Sequence, residues 1–426
     1  MPQMTVPAID QVTCSGWNEM ERDLYNSLPY SMTEMQLKYF KTWDIWSKLT
    51  GSIKWTPNMG SLMKRVSKEP SPHIRQFFFP QAICSLPKKD VIMVRERSVE
   101  GAVSYHNFES TIMEFCPSFR DFLKDHVSRT VKDISEKMAR ANNIFIRGYI
   151  FHQSPYVMLA NKVDGEVVAA PMGNGDAAGL TGKSTAWLQA MLPLVGNPGN
   201  LSVNTINLAT NIMETDWRIP ALEGSNAPTG DNAVNGRYGL IQSGESFNQF
   251  IYDPWVLENK DINLNVITNG WKGDLFGRVM SKLEDMPLRI AADGTFPAPE
   301  TVELNPDAFN YGESISNPAY VNAPFEVAFL MGYGKGYSTI EVGPPPKEFA
   351  NGMPDGFGKM FWNGELIITK NINVPCLDQD NNVVNDTNKY GKYLQIISAA
   401  TYGCIGEQKR SVLPIIFKRW RGAKNQ

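Results

Sequence analysis

The sequence predicts an α+β protein whose helices are concentrated early and in the middle of the chain. Three observations predict it. An amphipathic stretch runs from Ser118 to Ala141, alternating apolar segments bounded by turn residues fill the second half, and no repeat of fixed period signals a solenoid or propeller. With 426 residues, the chain is long enough for two or three structural units.

The first seventy-odd residues carry one helix. Ser31 and Glu34 form a capping box, and Met35, Tyr39, Trp43 and Trp46 follow at helical spacing. This segment reads as an extended arm whose aromatic side chains need a partner surface. Phe77 to Phe108 is rich in β-branched and aromatic residues and reads as strands with a hairpin turning near Val99 to Gly101. Such a ribbon is marginal alone and needs something to lie on.

After Pro117, Ser118 and Asp121 cap a helix whose apolar residues Phe119, Phe122, Leu123, Val127, Val131, Ile134, Met138 and Ala141 recur at threes and fours. A helix of that length spans roughly 36 Å. NIFIRGYIF (143–151) then reads as a strand, and YVMLANKVDGEVVAA as a hairpin turning at Asp164-Gly165. Helices are expected over 185–194 and 202–217, followed by the strands RYGLIQSG, LNVIT, LFGRVMSKL, FEVAFLMG, STIEVG, GELIITKN and YLQIISAATYG.

Composition excludes several function classes. A net charge of −3 gives no electrostatic case for nucleic-acid or membrane binding, and the basic tail KRWRGAK from Lys418 reads as a solvated terminus. The five cysteines are scattered, odd in number and without a CxxC pair, which argues against a disulfide framework or zinc module and for a reducing compartment. No signal peptide and no apolar run of about 18 residues is visible, so a soluble chain made in a cytoplasm is expected.

The sharpest motif is AAGLTGKS (177–184), which fits a relaxed phosphate-loop pattern with Lys183 and Ser184 in place. A phosphate loop needs a buried strand leading into the glycine turn and an acidic partner for magnesium. Here Pro171, Gly173, Gly175 and Asp176 interrupt the approach, and the first glycine is Ala177. A glycine loop followed by the helix STAWLQAML accounts for the same letters; a nucleotide-binding enzyme using Lys183 and Ser184 is the alternative. GNGDAA (173–178) and GYGKGY (332–337) lack the strand–turn–helix setting of a dinucleotide fingerprint. His73, His106, His126 and His152 stand apart from other ligand types, so no metal is expected. DQDNNVVND (378–386) has Val383 where a calcium loop needs glycine and Lys389 where it needs a carboxylate, and reads as a polar hairpin tip. No GxSxG elbow occurs. No cofactor and no catalytic residue is expected, and a structural role follows.

The order of arm, hairpin, long helix, strand-rich body and closing strand resembles the major capsid proteins of tailed bacteriophages, which have the HK97-type fold. GRYGLIQSGESFNQFIYDPW (236–255), the stretch from Asn263 to Glu300 and the ending SVLPIIFKRW look similar to segments of such proteins. The resemblance implies an N-terminal arm at 1–72, a projecting hairpin (E-loop) at 73–112, and a peripheral domain at 113–200 with a spine helix at about 118–141. It further implies an axial domain at 201–345 and return strands with a C-terminal tail at 346–426. It implies a non-enzymatic subunit that assembles as hexamers and pentamers into an icosahedral shell around double-stranded DNA, without sequence-specific binding or membrane contact. The location implied is the virion, with assembly in the host cytoplasm. Portal and decoration proteins are implied partners. No long charged leader precedes the arm, which implies a separate scaffolding protein or an arm that suffices. Inter-subunit contacts are expected from Trp17, Trp43, Trp46, Lys88, Lys89, Arg95, Arg97, Glu100 and Lys183. A portal or tail component is the alternative within the virion.

Overall fold

Runs such as VAFLM and VLPIIF carry no polar alternation, so the strands they form must be covered on both faces. The computed structural model describes residues 45–55, 62–66, 98–114, 139–161, 165–173, 182–196, 199–222, 237–251, 253, 271–275, 279–299, 317–333, 336–342, 360–361, 364–370, 376–377, 383–385 and 393–419.

Eight strands form the central sheet: β4 (Tyr156–Leu159), β5 (Glu166–Ala169), β6 (Tyr238–Ser243), β7 (Trp271–Leu275), β8 (Val279–Glu284), β9 (Leu288–Ile290), β10 (Phe325–Met331) and β17 (Val412–Lys418). Their order is β5-β4-β17-β10-β6-β8-β7, with β9 beside β10. The last strand of the chain therefore lies in the middle of the sheet, antiparallel to β10 and parallel to β4.

Strand parity sorts the core into two layers. On one face Val327, Phe329, Met331, Val412, Ile416 and Ile241 pack with Ile146, Tyr149 and Ile150 of helix α2 (139–153). On the other, Ala328, Leu330, Leu413, Ile415, Phe417 and Leu240 pack with Val203, Ile206 and Ala209 of α4 (Val203–Asn211). A π turn, Ile212–Asp216, extends α4 and adds Met213. Two helices thus cover the sheet that the unbroken apolar strands required.

A second, seven-stranded sheet joins β1 (Gly51–Trp55), β2 (Leu62–Val66), β3 (Ser98–Glu114), β11 (Tyr337–Val342), β12 (Met360–Phe361), β13 (Gly364–Lys370) and β16 (Tyr393–Gly406). Its axis is the antiparallel pair β3–β16, in register from Tyr393↔Glu114 to Cys404↔Ala102 with one bulge near Ser398. At ~3.3 Å per residue, the 17 residues of β3 reach about 56 Å. β14 (Cys376–Leu377) and β15 (Val383–Asn385) pair antiparallel around 378–382, as expected for a polar hairpin tip. The helices α1 (Trp46–Leu49), α3 (Thr185–Met191), α5 (Gly244–Ile251) and α6 (Pro318–Asn322) complete the described elements.

Two expectations need correction. Val99 to Gly101 make no turn: they continue β3 and pair with Arg65, Lys64 and Met63 of β2. Pairing with β2 takes up the backbone groups of this stretch, and β16 pairs with the strand from Ala102 on, which outweighs a local glycine signal. Residues 143–151 are helical, not extended. Their buried positions pair up as 142/143, 146/147 and 149/150, a helical period that the β-branched and aromatic content concealed. Residues 118–138 of the expected spine helix, 264–268 and most of the expected early helix lie outside the described residues. The helices at 185–194 and 202–217, the Asp164-Gly165 hairpin and the strands within 238–243, 325–331, 337–342, 364–370 and 393–406 match the periodicity that predicted them.

Candidate functional site

Of the phosphate-loop letters, Ala177 to Thr181 lie outside the described residues, and Gly182, Lys183 and Ser184 have local structural roles. A helix leaves its last carbonyls without intrahelical donors, and α2 ends inside the protein where water cannot supply them. Lys183 supplies them. Its ammonium donates to the carbonyls of Phe151 at 2.5 Å, Ser154 at 2.7 Å and His152 at 3.3 Å, and lies 5.1 Å from the centre of the Phe151 ring. A cation at a helix C-terminus also meets the negative end of the helix dipole. The side chain is 1% exposed.

The neighbouring residues serve the same junction. The Lys183 backbone N–H donates to His152 Nδ1 at 3.1 Å, which leaves the imidazole neutral with its other nitrogen protonated. Burial, and then the Lys183 charge, lower the His152 pKa to about 4. Burial, and then the charge of Lys409, lower the Lys183 pKa to about 7. Gly182 sits so close to the Gly173 amide that a Cβ there would stand 2.2 Å from its nitrogen. Ser184 is the N-cap of α3, accepting from the Trp187 N–H at 3.3 Å. The lysine, glycine and serine of the motif are therefore a helix C-cap, a close backbone contact and a helix N-cap. With the Lys183 ammonium and the Ser184 hydroxyl engaged by the chain's own backbone, the nucleotide alternative is not favoured.

A second buried group anchors α1 to α2. Asn143 Oδ1 accepts from the backbone N–H groups of Ile45 and Trp46, at 3.1 and 3.3 Å. The Trp46 indole N–H donates to Glu284 at 3.3 Å, and Arg147 donates to the same carboxylate at 2.8 Å and to the Met286 carbonyl. Trp46 also meets Phe329 edge-on, with centroids 5.1 Å apart. Burial raises the Glu284 pKa while Arg147 opposes it. Trp46 is wholly inside the subunit.

A third polar group closes the C-terminal end of β17. Arg419 donates to Glu245 at 2.6 and 3.0 Å and to the carbonyls of Val321 and Ala323, both at 2.8 Å. Arg289 lies over the Tyr320 ring at 4.3 Å and donates to the Tyr320 carbonyl. Glu326, fully buried in β10, accepts from Ser243 at 2.5 Å and faces both guanidiniums. Periodicity could not reveal these three groups, because each joins residues far apart in sequence.

Among the described residues, no three His, Cys, Asp or Glu side chains converge as metal ligands. Cys404 is buried, and burial raises its thiol pKa well above the usual value, the opposite of an activated nucleophile. Of the expected contact residues, Trp46 and Lys183 are buried within the chain itself. Glu100 stands in β3 opposite Lys64. Trp17, Trp43, Lys88, Lys89, Arg95 and Arg97 lie outside the described residues.

No protein-family model and no curated protein sequence matches the chain. Solved structures do. The chain is similar to the head structure of Helicobacter pylori bacteriophage KHP40, with a TM-score of 0.42, 9% identity, and coverage of 88% of this chain and 91% of that one. It is similar to the cyanophage Pam1 capsid asymmetric unit at a TM-score of 0.39 and 8% identity, covering 89% and 92%. It is similar to the virus-like particle from Pyrococcus furiosus at a TM-score of 0.35 and 8% identity, covering 91% and 99%. These neighbours are a phage head, a phage capsid and a virus-like particle. No helix among the described residues is long and apolar enough to cross a membrane.

Proposed function

We propose that the chain is a structural subunit of an icosahedral phage head with an HK97-like fold, and that it has no catalytic role. One observation carries the reading. Val66 and Ser98 are paired across β2 and β3, so the 31 residues 67–97 join two neighbouring strand ends. We read this long insertion between paired strands as the extension by which a subunit reaches a neighbour.

The rest of the framework supports that use. The helix ending at 153 lies across one face of the central sheet, and the final strand closes that sheet. Lys183, Ser184, Arg147, Glu284, Glu326 and Arg419 are spent on internal contacts. In this reading 1–72 is the arm, 73–112 the hairpin extension, 113–200 the peripheral domain with its spine helix, 201–345 the axial domain and 346–426 the return strands and tail. Trp17, Trp43, Lys88, Lys89, Arg95, Arg97 and Glu100 face other subunits. Hexamers and pentamers form by many weak symmetric contacts, with scaffolding, portal and decoration proteins as partners and double-stranded DNA enclosed. The protein resides in the virion after assembly in the host cytoplasm.

Negative-stain microscopy of the purified protein, alone and co-expressed with a scaffolding protein, tests this. Fivefold and sixfold capsomers or closed shells are expected. A single twelvefold ring would assign the chain to a portal, and a monomer under every assembly condition would overturn the proposal.

A further inference from the structure

The group around Arg419 has a property its packing role does not require. Glu326 Oε1 takes the Ser243 hydroxyl at 2.5 Å, but Glu326 Oε2 has no hydrogen-bond donor. That oxygen instead faces Arg289 Nε at 3.6 Å and Arg419 Nε at 3.7 Å, beyond hydrogen-bond reach. The close contacts of Arg419 go to Glu245, whose side chain is 49% exposed. A buried, ionised carboxylate with one bare oxygen is driven to take up either water or a proton.

Every element packed here contributes a group that bears on the balance: Ser243 from β6, Glu245 from α5, Arg289 from β9, Tyr320 from α6 and Arg419 at the end of β17. With Glu326 ionised, the two guanidiniums and two carboxylates sum to zero; with it protonated, one positive charge remains. Arg419 is also where the chain exits the sheet. Its N–H donates to the Pro324 carbonyl and that of Lys418 to the Gly199 carbonyl, both at 2.9 Å.

We infer that Arg419, Glu245 and Glu326 form a latch on the C-terminal exit of the chain, tightened by acid because opening it exposes the buried Glu326 carboxylate to water. The direction follows from proton linkage. Burial raises the Glu326 pKa from 4.5 to about 7, against the opposing pull of Ser243, Arg289 and Arg419, while Glu245 adds to the rise. The closed latch therefore holds the proton more tightly than an open, hydrated one. Its stability is fully present at low pH and is lost as pH rises through about 7.

Hydrogen–deuterium exchange of the Lys418 and Arg419 amides, divided by intrinsic rates at each pH, tests the latch in the purified full-length protein. Protection is expected to increase about tenfold between pH 8 and pH 6. Glu326→Gln should give strong protection at both values. Ser243→Ala removes the donor to the ionised form, so the rise should move to higher pH; this variant decides the matter if Glu326→Gln does not fold. Protection that is independent of pH in the unmodified protein, or a pH dependence that survives Glu326→Gln, overturns the inference.

Discussion

Replacing Lys183 by methionine keeps the length and apolar stem of the side chain and removes only its donors. Above pH 7 the lysine is largely the neutral amine, because burial lowers its pKa to about 7. The amine donates into the carbonyl fan of Phe151, His152 and Ser154, and a buried carbonyl stripped of its donor costs ~1–3 kcal/mol. Two lost donors give about 3 kcal/mol of destabilisation at pH 9. At pH 6 the result differs. The folded protein then holds a buried ammonium, whose desolvation offsets the gain from its hydrogen bonds. A base with a lowered folded pKa adds stability as pH rises from about 7 toward its ordinary 10.5, since the unfolded chain still binds the proton there. Between pH 6 and pH 9 this group contributes about 2–3 kcal/mol to the unmodified protein and nothing to Lys183→Met. Urea unfolding of both proteins at the two pH values measures the difference, and titrating groups not coupled to Lys183 cancel in the comparison. A stability gap that is the same at pH 6 and pH 9 refutes the buried-cap account. Calorimetry with Mg-ATP supplies the complementary result: no heat is expected, and saturable heat abolished by Lys183→Met would restore the phosphate-loop reading.

Three further outcomes follow from local geometry. Trp46→Ala should destabilise the protein by about 3–5 kcal/mol in urea titrations, because it empties a fully buried site and removes the indole donor to Glu284; a loss below about 1 kcal/mol would place the side chain at the surface. Gly336→Ala puts a Cβ 2.0 Å from Ser411 Oγ and 2.4 Å from its Cβ, so a lower Tm is expected, with partial recovery in the double variant carrying Ser411→Gly; no recovery would locate the clash elsewhere. Cys404, fully buried with its thiol pKa raised by burial, should resist alkylation in the native protein and react after unfolding, as read by site-resolved mass spectrometry.

What the sequence made legible was set by the range of the forces involved. The unbroken apolar run of FEVAFLM is a local consequence of covering both faces of a sheet, so β10 could be read directly, whereas β17 was expected only from the resemblance of SVLPIIFKRW to a closing strand. The caps Ser184 and Ser202 are equally local, each accepting from a backbone N–H three residues on. Residues 143–151 misled because Ile, Phe and Tyr serve strands and buried helices alike, and only the tertiary partner decides. The Val99–Gly101 turn failed for a related reason, since β2 pairs with that backbone and β16 continues the strand from Ala102 on. Lys183 was visible as a letter but not as a role. Its three acceptors lie 29 to 32 residues earlier, at the end of a helix that was itself read as a strand.

Two of the chain segments that connect the sheets lie against each other. β10 runs into β11 and β16 into β17, and the two crossings lie side by side: Gly332 N–H donates to the Ser411 carbonyl at 2.9 Å, and the Glu407 and Gln408 N–H groups to the Gly336 carbonyl at 2.8 Å. Register is kept on either side, Met331 opposite Val412 in one sheet and Tyr337 opposite Gly406 in the other. Glycine is required at the bend because Gly332 abuts the Pro220 carbonyl and Gly336 abuts Ser411, leaving no room for a Cβ. The ladder that begins at β2 thus passes through β3 to β16, and then by covalent chain to β17 at the centre of the other sheet. β2 and β3 are thereby tied, through strands rather than loops, to the centre of the other sheet.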